Sequence, residues 1–470
     1  METTNNKSSI LNGSKSEAAS SRNACKVCSP LGASVAYKGI KGCVPLIHGS
    51  QGCATYIRRY LISHYKEPVD IASTNFSQET SIFGGAKNFE ASINNIIKQY
   101  NPEVIGISST CLSETIGEDM KMMIHDYLKN HLGESIPSLV YASTPSYQGT
   151  HMDGFHEAVT SIVQAFAEGK NNCEHINFFP GFVSPADIRY LKEILSDFFI
   201  DYIMLPDYSD TLDSGIWEEY KRIPPGGSPL NRIKLAGSAF ASIKLGNVFN
   251  SAKNIGRVKD GISQPTAASY LQERFKVELL QTTMPIGIKA TDKLFEILEH
   301  VSLYPTSEKY IQERERLVDS YIDGHKYVFG KQAIVYGEED FVIGMVSFLV
   351  EIGIKTVLAV SGGESSKMKT ILKQIAGDDI EIMGGGDFEQ MATFARENKP
   401  DLLIGNSKGY YIARELNIPL IRAGFPIHDR IGGQRILHLG YRGTQQLFDK
   451  IVNALLEYKQ DHSSVGYKYM

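Results

Sequence analysis

From residue 30 onward, the chain alternates short apolar runs rich in β-branched residues with longer amphipathic stretches, and turns rich in Gly, Ser or Pro separate them. This alternation is typical of βαβ units, in which helices connect the parallel strands of a sheet. The sequence therefore predicts an α/β protein built on parallel sheets. The predicted strands span residues 104–108, 138–142, 175–179, 202–205, 332–336, 356–360, 401–404 and 419–421.

Two of the amphipathic stretches show clear helical periodicity. Apolar residues recur at three- and four-residue spacing over residues 91–100 and 185–198, as expected of helices that lie on a sheet. Ser184 stands directly before Pro185, so we predict that Ser184 is the N-cap of the second helix.

The length of the chain requires more than one domain. Its 470 residues exceed what one hydrophobic core organises, since a domain usually has roughly 150 residues. Polar stretches near residues 168–174 and 308–317 separate three clusters of strand signals. We predict that residues 1–24 form a disordered tail. Three doubly wound, Rossmann-like domains are predicted to follow, over residues 25–165, 166–320 and 321–470.

Composition argues against several classes of function. With 48 basic and 53 acidic residues, the net charge of −5 is too balanced for a surface that binds nucleic acid. The most apolar run, residues 341–354, is too short to cross a bilayer of about 30 Å. The first 24 residues lack the apolar segment of a signal peptide. We therefore expect a cytoplasmic protein with neither nucleic acid nor membrane as a partner.

The cysteines are the strongest candidates for a site. Cys28 follows Cys25 in a C-x-x-C pair, Cys53 ends a glycine-containing turn, and Cys111 comes soon after a predicted strand. Loops at the carboxyl ends of parallel strands can present several side chains to one ligand, and thiolates on such loops suit an iron–sulfur cluster. Spacing alone leaves metal ligands and buried thiols as alternatives, because free cysteine is often buried.

Other interpretations of the cysteines stay open at this point. Cys43 has apolar neighbours and Cys173 lies in a polar stretch, so we predict that both are structural or incidental. Cys25 either joins the site or ends the disordered tail. A competing hypothesis is a catalytic cysteine with His48 or His64 as its base.

Short motifs along the chain carry a resemblance to a known family. In the first third they are residues 28–33 (CSPLGA), 48–53 (HGSQGC), 64–68 (HYKEP), 83–85 (FGG), 109–111 (STC) and 114–117 (ETIG). Later motifs are residues 144–146 (TPS), 205–207 (LPD), 404–407 (IGNS), 422–426 (RAGFP) and 440–443 (GYRG). With these motifs, the chain resembles the β-type chains of the nitrogenase component 1 family from about residue 25 to residue 460.

This resemblance implies three α/β domains around a central cleft and an α-type partner subunit in an α2β2 heterotetramer. It also implies an ATP-dependent iron protein reductase as a second partner. An iron–sulfur cluster would be shared with the α-type partner, and Cys28, Cys53 and Cys111 would be its ligands from this chain. Ser146 corresponds to the family's serine near the oxidised cluster, and Tyr56 corresponds to a nearby position.

Two roles in nitrogen fixation share this fold. We predict a scaffold subunit, in a complex that carries the iron-molybdenum cofactor precursor while it is matured; such a chain catalyses no reaction itself. Residues 206–213, 225–227 and 429–435 favour this role, and histidines are expected in a structural subunit where this chain has Gly432 and Gly433. The alternative is the β subunit of dinitrogenase, an oxidoreductase subunit that relays electrons, and the three retained cysteines favour it. A third hypothesis is a binding module without a cluster.

Overall fold

The computed structural model of the chain describes residues 25–169, 173–249 and 266–466. The predicted tail, residues 1–24, lies outside the described residues. Within the described ranges, the strands form three sheets, and every strand pair within them is parallel. The predicted α/β fold class is therefore confirmed. One sheet lies within each of the three predicted domains, whose boundaries stay a prediction.

The N-terminal sheet consists of β1 (Cys43–His48), β2 (Ala72–Ser73), β3 (Val104–Ser109) and β4 (Ser138–Ala142), with helices α1 (Ser29–Lys38), α2 (Gln51–Tyr65), α3 (Gln78–Phe83), α4 (Ala86–Tyr100), α5 (Cys111–Thr115), α6 (Met120–Asn130) and α7 (His151–Phe166). Its strand order is β2-β1-β3-β4, so the chain starts in the interior of the sheet and extends it in both directions. His48 pairs with Ser109, and β1 and β3 therefore end at the same edge.

The middle sheet consists of β5 (Cys173–Phe179), β6 (Tyr202–Met204), β7 (Ala239–Leu245) and β8 (Glu278–Thr282), with helices α8 (Pro185–Asp197), α9 (Leu230–Ile233), α10 (Ala267–Phe275) and α11 (Ile288–Ser302). Its strand order, β6-β5-β7-β8, repeats that of the N-terminal sheet. As predicted, the Ser184 hydroxyl caps α8, where it accepts a hydrogen bond from the Asp187 amide at 3.0 Å.

The C-terminal sheet consists of β9 (Gln332–Gly337), β10 (Lys355–Ser361), β11 (Glu381–Met383), β12 (Leu402–Gly405) and β13 (Leu420–Arg422), with helices α12 (Glu308–Val328), α13 (Glu339–Glu351), α14 (Ser366–Ala376), α15 (Phe388–Asn398), α16 (Tyr410–Leu416) and α17 (Gly440–Asp461). Its order is β11-β10-β9-β12-β13. The apolar run at residues 341–354 falls largely on α13, whose residues are mostly buried. No helix in the described parts of the chain combines the length and apolar character needed to span a membrane.

All eight predicted strands are present, whereas five strands were not predicted. The most important of these is β1, which lies between β2 and β3. Its sequence, CVPLIH, contains Pro45, and proline is unusual in an interior strand because it donates no hydrogen bond to the ladder. The others are β2, β7, β8 and β11; β2 and β11 are very short, and β7 and β8 contain polar residues.

Buried polar contacts join the three sheets where they meet. His151 Nε2, on α7, lies 2.8 Å from Glu338 Oε1, directly before α13. Asp187, on α8, accepts hydrogen bonds from the backbone amides of His438 at 2.7 Å and Leu439 at 3.0 Å. A single hydrophobic cluster also includes residues from all three sheets. The N-terminal sheet, which bears the cysteines, therefore shares buried polar contacts and a hydrophobic core with the other two sheets.

Candidate functional site

The three predicted cysteine ligands lie at the beginnings of helices. Cys28 is the N-cap residue of α1, Cys53 lies in the first turn of α2, and Cys111 is the first residue of α5. Two of these helices directly follow β1 and β3, which end side by side. Backbone N–H groups at the first turn of a helix favour a nearby negative charge, so these positions suit thiolates.

Ser146 connects two of the cysteines. Its backbone amide donates a hydrogen bond to Cys111 Sγ at 3.3 Å, and its hydroxyl oxygen accepts one from the Ser29 amide at 3.1 Å. The Ser146 side chain also forms a hydrogen bond with Cys28. Cys28 is close enough to Cys111 and Cys53 for an electrostatic interaction between the sulfur atoms. The structure therefore brings together the three cysteines and Ser146, which the resemblance implies.

The electrostatics of this group favour a positively charged occupant. Burial raises the pKa of the Cys28 thiol, the neighbouring Cys111 and Cys53 raise it further, and the hydrogen bond from Ser146 lowers it. Three neighbouring thiolates repel one another because they carry the same charge. Binding to positively charged iron would offset this repulsion. No group of three His, Cys, Asp or Glu side chains among the described residues could hold a single metal ion. The chemistry of the donor set, three cysteine thiols, fits an iron–sulfur cluster.

The remaining cysteines lie elsewhere. Cys25 is buried in the apolar cluster of the C-terminal sheet, its amide donates to Gly386 O at 3.0 Å, and burial raises its pKa to about 12. Cys43 is buried in β1, where its pKa is also raised to about 12 by burial. Cys173 begins β5 in the middle sheet. Their positions agree with a structural role for Cys43 and separate Cys25 from the other three.

The two histidines considered as catalytic bases do not contact a cysteine sulfur in the described part of the chain. His48 is buried, which lowers its pKa to about 4, and its Nε2 lies 3.5 Å from Glu118 Oε2. His64 Nδ1 accepts a hydrogen bond from the Ile427 amide at 2.9 Å, and burial lowers its pKa to about 3. The geometry gives no support to a cysteine–histidine nucleophile.

The sequence interpretation missed two groups around the cysteines. Glu114 accepts hydrogen bonds from hydroxyl groups on β3, on β4 and just after β4. The rings of Tyr60 and Tyr56 pack at a tilt with their centroids 5.2 Å apart, and Lys408 Nζ lies 5.8 Å from the centre of the Tyr60 ring. The four-residue spacing of Tyr56 and Tyr60 on a helix could have shown their proximity. The sequence does not indicate that Lys408 lies near Tyr60, because the two residues are far apart along the chain.

A second feature is a cavity where the three sheets meet. Its wall includes Asp187 and Glu338, both buried, and no Lys or Arg among the described residues. Three phenylalanine rings and the side chains of His64 and Tyr65 complete much of the remaining wall. His438 also lines the wall, with its Nδ1 2.9 Å from Asp187 Oδ2. A buried wall with two carboxyl groups and neither Lys nor Arg among its described residues disfavours an anionic ligand.

Comparison with known proteins agrees with this geometry. A family model described as nitrogenase component 1 type oxidoreductase matches residues 28–456. The chain belongs to this family. The nitrogenase component 1 match includes all three cysteines at the helix starts and Ser146. The predicted family is therefore confirmed.

Individual members of the nitrogenase component 1 family show how far the likeness extends. The nitrogenase molybdenum-iron protein beta chain of Clostridium pasteurianum is 36% identical, over 93% of this chain and 93% of that protein. The nitrogenase iron-molybdenum cofactor biosynthesis protein NifN of a Nostoc species is 33% identical, also over 93% of each. The solved structure of nitrogenase Cp1 at pH 6.5 matches with a TM-score of 0.90 and 32% identity, over 97% of each chain. Identity of this size does not separate the two roles.

Proposed function

We propose that this chain is a β-type subunit that holds an iron–sulfur cluster jointly with an α-type partner. The observation that carries the proposal is the convergence of Cys28, Cys53 and Cys111 at one edge of the N-terminal sheet, where Ser146 bonds both Cys28 and Cys111. When bound, such a cluster accepts and releases single electrons. The chain's own part is to supply thiolates at helix starts, to donate the Ser146 amide to Cys111 and to bury Cys28 and Cys53 partly.

The α-type partner is inferred from the side chains that are exposed beside the cysteines. Cys111 is exposed, and so are three apolar side chains next to the ligands: Tyr56 is 43%, Leu112 38% and Tyr147 57% exposed. Large apolar side chains around an exposed ligand are typical of a surface that another subunit covers. A second subunit would also supply the ligands that three cysteines leave unfilled. We propose an α2β2 heterotetramer that receives electrons from an ATP-dependent iron protein reductase.

Within this complex, we propose the scaffold role, with this chain as the NifN-type subunit and a NifE-like protein as its partner. The segment that favours the role lies at the junction of the sheets: a Cβ on Gly433 would stand 3.0 Å from Ile427 Cβ and 3.1 Å from His64. The larger histidine expected in a structural subunit would meet both groups. The cavity beside Gly433 has no Lys or Arg among its described wall residues, so we assign the anionic cofactor precursor to the partner subunit.

The second candidate role is the β subunit of a dinitrogenase. The retained set of three cysteines favours it. In this role the same cluster would pass electrons onward to a cofactor on the α-type partner. The site geometry is common to both roles, because both need a cluster at the contact between subunits.

One experiment separates these roles. The chain is co-purified anaerobically with its α-type partner, and the complex is assayed for iron, for acetylene reduction, and for transfer of cofactor to a dinitrogenase that lacks it. We expect iron in the complex, transfer of the precursor, and negligible acetylene reduction. Substantial acetylene reduction without transfer would establish the dinitrogenase role instead, and a complex without iron would refute both.

A further inference from the structure

Glu114 occupies an unusual position next to the cysteine site. It lies on α5, three residues after Cys111, and its Oε1 accepts three hydrogen bonds. The donors are the Ser109 hydroxyl at 2.5 Å, the Tyr141 hydroxyl at 3.1 Å and the Ser143 hydroxyl. Hydrogen bonds to a carboxylate are roughly twice as strong as those between neutral groups. One oxygen atom thus connects the helix of Cys111 to two neighbouring strands.

The three donors lie along the path to Ser146. Ser109 is the last residue of β3, Tyr141 is in β4, and Ser143 directly follows β4. The Ser109 hydroxyl in turn accepts a hydrogen bond from the Thr144 amide at 2.8 Å, and the Thr144 hydroxyl donates to Ser109 O at 2.7 Å. The segment that ends at Ser146 is therefore bonded to Glu114 of α5 through Tyr141 and Ser143, and to the end of β3 through Thr144.

Glu114 is not required to begin the helix. The N-terminus of α5 is capped by Thr110 and Ser113, whose side chains bond each other's backbone amides. Glu114 also forms no part of the strand ladder between β3 and β4. Its hydrogen bonds instead connect α5 to the end of β3, to β4 and, through Ser143, to the loop after β4.

We propose that Glu114 is a positioning residue that sets the placement of Ser146 against Cys111 and Cys28. This inference rests on the proposed function, because Ser146 is taken to act on the interface cluster. With Glu114 in place, the Ser146 amide stays on Cys111 Sγ and the Ser146 hydroxyl stays between α1 and α5. The interaction of Ser146 with the cluster in its different oxidation states then depends on Glu114.

The first test needs no cluster. Amide hydrogen exchange is measured on the full chain for residues 143–147 in Glu114→Ala, Glu114→Gln and the control Asp119→Asn. Glu114→Ala removes the shared acceptor, so we expect the Thr144 and Ser146 amides to exchange roughly 10- to 100-fold faster. Gln keeps an acceptor oxygen and should restore most of the protection. Asp119 only caps α6, so its variant should leave these amides unchanged.

The second test uses the complex with the α-type partner. Glu114→Ala should retain its iron, because all three cysteines are present, but should change the midpoint potential and the EPR spectrum of the oxidised cluster as Ser146→Ala does. The double variant should show no further change. Tyr141→Phe, which removes one of the three donors, provides a milder variant should Glu114→Ala fail to fold, and it should produce a smaller change in the same direction.

Two results would overturn the inference. One is unchanged exchange at Thr144 and Ser146 in Glu114→Ala and Tyr141→Phe. The other is a double variant whose shift in midpoint potential equals the sum of the shifts of Glu114→Ala and Ser146→Ala. Such additivity would show that Glu114 does not act through Ser146. Failure of the proposed function is distinguishable, because it would appear as absence of iron in the unmodified complex and would leave the exchange experiment interpretable.

Discussion

The crossing of α1 and α7 offers a sharp test of how packing places Cys28. Gly154 on α7 faces the first turn of α1, and a Cβ on Gly154 would stand 1.9 Å from Ser29 O. Gly32 on α1 faces α7 in the same way, because a Cβ on Gly32 would stand 1.7 Å from His151 O. These two glycines allow the two backbones to approach closely. Ser29 directly follows Cys28, so any movement of this turn carries the ligand with it.

We predict that Gly154→Ala destabilises the chain and disturbs the cluster. Alanine favours a helix over glycine by about 1 kcal/mol. Against this gain, the new methyl group must move a backbone carbonyl by about 1 Å before the contact becomes tolerable, and overpacking of this kind costs about 1–3 kcal/mol or more. A backbone carbonyl cannot move away by changing a side-chain rotamer, so we expect the steric cost to lie at the upper end of this range, about 3 kcal/mol, and the net loss to be about 2 kcal/mol.

The assay combines urea unfolding of the chain with iron content and EPR of the anaerobic complex. Gly215→Ala is the matched control, because a Cβ there meets no atom within 4 Å. We expect reduced stability and reduced iron in Gly154→Ala and neither in the control. A Gly154→Ala chain as stable as the control, with an unaltered cluster, would refute the argument that this crossing fixes Cys28.

Two further predictions concern the buried carboxyl groups at the junction of the sheets. Burial raises the pKa of Glu339 to about 7, so the folded chain holds a proton that the unfolded chain releases, and stability should fall as pH rises from about 4.5 to 7. Glu339→Gln should flatten this dependence in urea unfolding at pH 5 to 8, and an unchanged slope would contradict the assignment. Asp187→Asn keeps an oxygen for the two backbone amides before α17 but places an NH2 group where Oδ2 accepts from Ser184 and lies 2.9 Å from His438 Nδ1. It should cost about 3–5 kcal/mol in the same assay; a loss below about 1 kcal/mol would contradict it.

Much of the fold follows from local pattern. Apolar runs such as residues 332–336 and 356–360 appear as strands because parallel strands are buried on both faces and carry few polar residues. The strand β1 was missed because Pro45 contradicts the usual pattern of an interior strand. Its place in the ladder depends on neighbours that are far away in the sequence, which a local pattern does not contain.

The site was predictable only in part. The motifs around Cys28, Cys53 and Cys111 stand beside turns at strand ends, so the sequence could indicate them as a group. Cys25 is close to Cys28 in sequence, yet the chain turns between them and buries Cys25 in the C-terminal sheet. The role of Glu114 depends on β4 lying beside β3, a tertiary relation that leaves no trace in the local sequence.

The measurement that tests the proposed cluster most directly is the iron content and EPR spectrum of the complex after removal of matched sets of cysteines. One variant is Cys28→Ala, Cys53→Ala, Cys111→Ala, and its control removes the same number of thiols as Cys25→Ala, Cys43→Ala, Cys173→Ala. We predict that the first variant loses the iron and the signal of the interface cluster while the control retains both. Full iron occupancy in the first variant, or equal loss in the two, would contradict the assignment of Cys28, Cys53 and Cys111 as ligands.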